Sequence, residues 1–187
     1  EVAIIGAEPE WNRGTQEGLK GSLKLIARFG VGLDNVDLQE ARKLGIMVAN
    51  SAGANKESVA ECAVALMLES TRKISWLDQK LREGCWKGLP RMHQLSGKTV
   101  GLIGFGAIAR CVAKMVKGFG CSVLATDVVK NETAAQELGV TFCAEEELLN
   151  NADFVSLHVP FTKDTYHMLS EGFSHKMKPT AHSLNTS

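Results

Sequence analysis

Thr99-Val100-Gly101-Leu102-Ile103-Gly104-Phe105-Gly106-Ala107-Ile108-Ala109 is the stretch that decides the fold of this chain. The apolar run from Lys98 to Ile103 reads as a buried strand, and Gly104 and Gly106 read as a tight turn. Ile108, Cys111, Val112, Met115, Val116 and Phe119 then recur at helical spacing until Gly120 stops them. Cys121 to Thr126 is a second buried strand, and it ends on Asp127, 21 residues after Gly106. Each residue type has a chemical reason to stand where it does. Two glycines let main-chain N–H groups come close to a pyrophosphate, while the helix opening at Ala107 turns its positive end toward the same phosphate. Ala109 fills the third small position, which needs only close helix–strand packing. A carboxylate at Asp127 can accept hydrogen bonds from a ribose 2′-hydroxyl. It also repels a 2′-phosphate, so the pattern predicts NAD in preference to NADP, with Lys130 a solvated neighbour.

The totals narrow the class around that unit. The chain has 187 residues, 44% of them hydrophobic and 22% charged, with a formal net charge of zero. That balance suits a globular core and excludes charge-driven binding of nucleic acid or an anionic membrane. The longest apolar run, Cys62 to Leu68, is too short to span a bilayer, and the N-terminus has no leader-peptide pattern. Cysteines 62, 85, 111, 121 and 143 are scattered and never form a CxxC pair. They read as reduced residues of a cytoplasmic protein, with neither a disulfide frame nor a metal site. Glu1 and Ser187 both fall inside strand-like runs, as though the chain were cut at both ends.

Before the glycine unit the chain alternates strands and helices. Val2 to Gly6, Leu23 to Phe29 and Ile46 to Ala49 are short apolar runs of the kind found in parallel sheets. Asp37 with Glu40 predicts a capping box for a helix ending at Leu44, and Gly45 sits where a C′ residue belongs. Ser58 with Glu61 predicts a second capping box, opening a long helix or two nearly collinear ones that run to Gly84 and act as a hinge. After Asp127 the pattern predicts helices at Thr133–Leu138, Glu145–Leu149 and Ser170–Lys176, and strands at Val140–Cys143, Asp153–Pro160 and Thr180–Ser187. The expected organisation is α/β, with two Rossmann-like parallel-sheet domains at residues 1–73 and 74–187 joined by the long helix.

Taken together, several signatures resemble one family. They are Arg28-Phe29-Gly30-Val31-Gly32-Leu33-Asp34-Asn35-Val36-Asp37, Asn50-Ser51-Ala52-Gly53-Ala54-Asn55, Ser58-Val59-Ala60-Glu61, the glycine motif, His158-Val159-Pro160-Phe161-Thr162, and Met177-Lys178-Pro179 leading to Asn185-Thr186-Ser187. The family is the D-isomer-specific 2-hydroxyacid dehydrogenases, and within it the phosphoglycerate dehydrogenases are most similar. The resemblance implies a flavodoxin-like substrate domain, a Rossmann NAD domain inserted into it, dimerisation through the NAD domain, and hydride transfer between nicotinamide and C2 of a 2-hydroxy acid. It implies that Arg28, Val31 and Gly32 bind the substrate, with the N–H groups near Val31 and Gly32 on its carboxylate. It places Ser51, Thr186 and Ser187 near the nicotinamide, and Gly104, Gly106, Ala107 and Ile108 at the pyrophosphate. Asp127 falls at the adenosine ribose, and His158, Val159, Pro160 and Thr165 fall along the adenine-side wall.

The resemblance makes 3-phosphoglycerate, and with it serine biosynthesis, the leading substrate reading. Glyoxylate, hydroxypyruvate or another small 2-keto acid is the alternative, and a non-catalytic NAD-binding corepressor-like module is a second one. The chain departs from the phosphoglycerate pattern at Ala107, where a long basic residue is usual, and at Ala52, where proline is usual. The family's catalytic arginine would follow Ser187, and its acidic partner and histidine acid/base would come later still. His93, His158, His167, His175 and His182 read as structural or surface residues, so no catalytic residue is assigned within the chain.

Overall fold

A computed structural model describes residues 1–186 of the chain. It divides into two compact units, Glu1–Asn55 and Lys56–Ser187.

The first unit is a three-stranded parallel sheet in the order β1 (Val2–Ile5), β2 (Leu25–Arg28), β3 (Met47–Asn50). Its crossovers carry two short helices, α1 (Arg13–Gly18) and α2 (Leu38–Lys43). The Asn12 side chain accepts from Thr15 N at 3.2 Å, and Asp37 Oδ1 accepts from Glu40 N at 2.9 Å, so each helix opens on a side-chain cap. The expected capping box at Asp37 is half made: the Glu40 carboxylate pairs with Lys43 at 3.0 Å. Ile5, Leu23, Ile26, Val36, Ala41 and Ile46 form the core of this unit.

The second unit carries the sequence's main motif. It holds α3 (Lys56–Arg72), α4 (Ile74–Arg82), β4 (Thr99–Ile103), α5 (Ala107–Lys117), β5 (Ser122–Thr126), α6 (Glu132–Leu138), β6 (Val140–Phe142), α7 (Glu145–Asn151), β7 (Phe154–Leu157), α8 (Glu171–His175) and β8 (His182–Asn185). All five strands are parallel, in the order β6-β5-β4-β7-β8. Chain order therefore reverses between β4 and β7, which is the switch point where α/β sheets open a crevice for ligands. One face packs on α3 and α5 through Ala60, Ala63, Val64, Met67, Ala109, Val112, Ala113 and Val116. The other face packs on α7 and α8 through Leu148, Leu149 and Phe173.

Two sequence expectations are corrected, and one alternative is decided. The division falls at Asn55/Lys56 and not at residue 73, because the apolar stripe of α3 is buried against α5 and so belongs to the second unit. Helix α3 begins two residues ahead of Ser58, so Ser58 and Glu61 are exposed positions inside it and do not form a capping box. Of the two readings of the stretch to Gly84, one long helix or two, the structure has two, parted at Lys73, which takes a left-handed conformation with φ 50°. The Glu69 carboxylate then accepts from Ser75 N at 3.0 and 3.2 Å and caps α4 in place of the broken backbone ladder.

Gly101 in β4 was read only as part of a strand, yet α7 lies directly against it. A Cβ there would stand 2.4 Å from Leu148 Cδ2 and 3.0 Å from Ala152 Cβ. Gly101→Ala is expected to destabilise the chain by about 1–3 kcal/mol through overpacking. Urea unfolding measures this, and a change under about 0.5 kcal/mol would show that α7 can move aside at little cost.

Candidate functional site

The glycine turn is built from the end of β4. Gly104 has φ +86°, and a Cβ on it would lie 2.6 Å from the backbone oxygen of His158. Only glycine fits both the left-handed backbone and the close passage of the segment after β7. Phe105 is buried, with its ring edge-on to Phe142 at 5.3 Å between centroids. Gly106 is the N-cap of α5, with extended backbone and no side-chain cap on the helix. A Cβ at Gly106 would meet no atom within 4 Å. The N–H groups that open α5 therefore face free space that any side chain at residue 106 would enter.

Asp127 closes the turn from the neighbouring strand. Its Oδ2 accepts from Phe105 N at 2.6 Å, and its Oδ1 accepts from Val129 N at 3.0 Å. Both bonds are charge-assisted, and both fix the carboxylate at the C-terminal end of β5 beside the glycine loop. Gly104, Gly106, Ala107, Ile108 and Asp127 are thus gathered at the switch point, as the spacing predicts. The open ground before Gly106, the uncapped helix start and the anchored carboxylate together fit a dinucleotide: phosphate on the helix N-terminus, ribose on the acid.

The wall beyond Gly104 is His158-Val159-Pro160. His158 N continues the ladder to Ile103 O at 2.8 Å, and Val159 Cγ1 lies 3.0 Å from the position of a Gly104 Cβ. Thr165 works inside this segment: its hydroxyl donates to Pro160 O at 2.6 Å and accepts from Thr162 N at 2.8 Å. It braces the carbonyl of the wall proline. Thr186 follows β8, and its Oγ1 is buried without a hydrogen-bond partner. Ser187, expected beside it, lies outside the described residues.

In the first unit, the loop after β2 is held by the strand next to it. Asn50 Nδ2 donates to Val31 O at 2.7 Å, Ser51 N to Gly30 O at 2.9 Å, and Ser51 Oγ to Arg28 O at 3.2 Å. The Arg28 guanidinium bonds the Phe29 carbonyl and covers Gly30, while its Nε is buried and unpartnered. Val31 is exposed, and Gly32 lies close to the Asp34 carboxylate. Ser51 therefore acts on the Arg28–Gly30 backbone. Asn50, given no role from sequence, is the latch on Val31, a role set by its register opposite Arg28 across β2 and β3, for which the sequence carries no signal. An open pocket beside this loop is lined by Ala7, Glu8, Pro9, Glu10, Asp34 and Asn35.

The second unit is thus a dinucleotide-binding domain of the doubly wound α/β class, defined by its strand order, glycine turn and acidic strand end. Residues 64–187 match the family model of the D-isomer specific 2-hydroxyacid dehydrogenase, NAD binding domain. The chain belongs to the D-isomer specific 2-hydroxyacid dehydrogenases, a family whose cofactor is NAD. It is 42% identical over 170 residues to a glyoxylate reductase of Korarchaeum cryptofilum, covering 88% of this chain and 51% of that protein. It is 41% identical over 158 residues to a D-3-phosphoglycerate dehydrogenase of Archaeoglobus fulgidus, covering 84% of this chain and 30% of that protein. A crystal structure of D-lactate dehydrogenase from Aquifex aeolicus, complexed with NAD and lactic acid, superposes with a TM-score of 0.88 at 32% identity, covering 100% of this chain and 56% of the other. The chain spans about half the length of the glyoxylate reductase. No helix among the described residues is long and apolar enough to cross a membrane, and no cluster of three or more potential metal ligands occurs among them.

Burial pushes the His158 imidazole down from 6.5 to about 4. The native state then keeps this side chain neutral between those values while the unfolded chain protonates it. The contribution is present above pH 6.5 and is lost as pH falls toward 4. His158→Gln, which cannot titrate, is expected to flatten the decline in unfolding free energy across that window by up to about 1.4 kcal/mol per pH unit. Equal slopes for the two proteins would mean that His158 titrates alike in both states.

Proposed function

We propose that this chain supplies the NAD site and the carboxylate-binding loop of an oxidoreductase that moves hydride between nicotinamide and C2 of a small, unphosphorylated D-2-hydroxy acid. The observation that carries the cofactor half is the Asp127 carboxylate held at 2.6 Å on the glycine loop beside the open ground at Gly106. Main-chain N–H groups of Ala107 and Ile108 would take the pyrophosphate, and Asp127 the adenosine ribose. Val159 and Pro160 would flank the adenine, and Thr186 would lie toward the nicotinamide. The bound nicotinamide supplies the hydride. Val31 and Gly32 would hold the substrate carboxylate on backbone N–H groups, with Asn50 and Ser51 fixing that loop.

The substrate class follows from charge. Glu8, Glu10 and Asp34 line the pocket beside the loop, so a phosphate there meets three carboxylates. Glyoxylate or hydroxypyruvate carries only one carboxylate and avoids most of that repulsion. The likeness to a glyoxylate reductase supports this choice. The unpartnered Nε of Arg28 favours a second reading, the 3-phosphoglycerate reaction of serine biosynthesis, in which the guanidinium turns to the anionic substrate. A cytoplasmic homodimer assembled through the second unit completes the proposal.

Asp127→Ala is expected to weaken NADH binding about ten- to a hundredfold, the range for loss of a charged hydrogen bond, and to narrow the preference over NADPH. Fluorescence titration with both cofactors measures it, and unchanged NADH affinity would remove the ribose assignment. The reaction is tested by NADH-linked reduction of glyoxylate, hydroxypyruvate and phosphohydroxypyruvate by the protein carrying this sequence, with its intact mass compared with 20.2 kDa. The expected kcat/KM is at least tenfold higher for the two unphosphorylated acids. The reverse order establishes the phosphoglycerate reading, and tight NADH binding without turnover establishes a non-catalytic NAD-binding module.

A further inference from the structure

Among the described residues of the second unit, three side-chain polar atoms lie buried with no hydrogen-bond partner: Ser156 Oγ, His158 Nε2 and Thr186 Oγ1. Ser156 is wholly buried on β7, between β4 and the edge strand β8. The three share one face. Phe154 packs with α3 and α5, Val155 and Leu157 pack with α7 and α8, and so Ser156 falls on the α3/α5 side by alternation. The ladder continues one step past β7, His158 N donating to Ile103 O at 2.8 Å, which carries His158 to the same side. On the adjoining strand, Ser156 is the register partner of Leu184 and Leu157 of Asn185. Leu184 packs in the α3/α5 core, which places Thr186, two residues on, beside His158 and over the same face.

Their spacing suits one small bridging group. Positions two apart on a strand are separated by about 7 Å and neighbouring strands by about 4.8 Å, while two hydrogen bonds through one water reach about 5.6 Å, a span that side chains leaning along the strand bring within range. A buried polar group without a partner is costly, and three at one place are satisfied together by one water making about three bonds. The chemistry is complementary, since two hydroxyls can donate or accept and a neutral imidazole offers one of each.

We propose that Ser156, His158 and Thr186 share one buried water, and that through it they fix the wall turn His158-Val159-Pro160 against the segment leaving β8. His158 is then a positioning residue. It sets the height of the wall beside the glycine loop, where its own carbonyl lies 2.6 Å from a Gly104 Cβ position. The inference rests on the reading of Val159 and Pro160 as the cofactor wall, and it adds a polar tie beneath them. The tie couples the cofactor side of β7 to Thr186, which follows β8.

The test uses the 187-residue chain labelled with ¹⁵N-histidine. In the unmodified protein, His158 Hε1 and the Thr186 methyl are expected to show rotating-frame Overhauser cross-peaks to one long-lived water. His158 is expected in a single neutral tautomer at pH 7. Ser156→Ala and Thr186→Val should each move the His158 Nε2 resonance by several ppm while leaving that of exposed His182 in place. His158→Leu should weaken NADH binding about tenfold, and His158→Gln, which restores a polar tip, should recover most of that loss. Absence of the water cross-peaks in the unmodified chain overturns the proposal even if every variant fails to fold. So does NADH binding by His158→Leu equal to that of the parent. Failure of the unmodified chain to bind NADH would remove the cofactor reading instead, and the shared water would then stand or fall on the cross-peaks and the two resonance shifts.

Discussion

The hydrogen bond from Phe105 N to Asp127 Oδ2, 2.6 Å long, is the constraint on which the second unit's chemistry depends. It joins the turn after β4 to the end of β5, two places far apart in sequence and adjacent in the sheet. A carboxylate accepting from a backbone N–H is held more firmly than one in water, and its second oxygen is held by Val129 N. Loop and acid therefore arrive as one preformed piece. The glycines on either side of Phe105 have opposite reasons to exist. Gly104 is required by the protein itself, because the backbone of His158 passes too close for any side chain. Gly106 clears ground that no atom of the chain occupies.

The first unit solves a similar problem without a helix N-terminus. Its loop after β2 presents Val31 and Gly32, and the holding groups come from the next strand: Asn50 on Val31 O, Ser51 on Gly30 O and Arg28 O. Three bonds from two consecutive residues leave the loop little freedom, which suits the proposed recognition of a small carboxylate by main-chain groups. Specificity then passes to the surroundings, and here they are acidic. Glu8 and Glu10 precede α1 while Asp34 closes the loop, so one pocket collects negative charge from separate parts of the chain.

Much of this was legible in the sequence because it is local. The strand–turn–helix around Gly104 and Gly106 follows from the change of period between β4 and α5, and Asp127 follows from the length of one βαβ unit. The cap at Asp37 is likewise local, since its side chain accepts from the N–H three residues on. Errors arose where distant packing decided. The stripe of α3 is the same whichever unit it packs on, so periodicity could not place the domain boundary. The break at Lys73 sits inside an apolar pattern that continues on both sides of it, which is why spacing left one helix or two open there. Ser58 and Glu61 have capping-box spacing, but the turn before them already leads into the helix at Lys56.

By itself, then, the sequence determined the parallel α/β architecture, the family, the glycine turn at the helix start and the acid at the end of β5, because each depends on residue type and short-range spacing. Only the tertiary structure decided that Asp127 holds the glycine loop, that Thr165 braces Pro160, and that Asn50 latches Val31. It alone brought Glu8, Glu10 and Asp34 to one pocket, and Ser156, His158 and Thr186 to one face. These are contacts between strands and loops separated along the chain. Their partners are set by sheet order and register, which residue spacing along one segment does not encode.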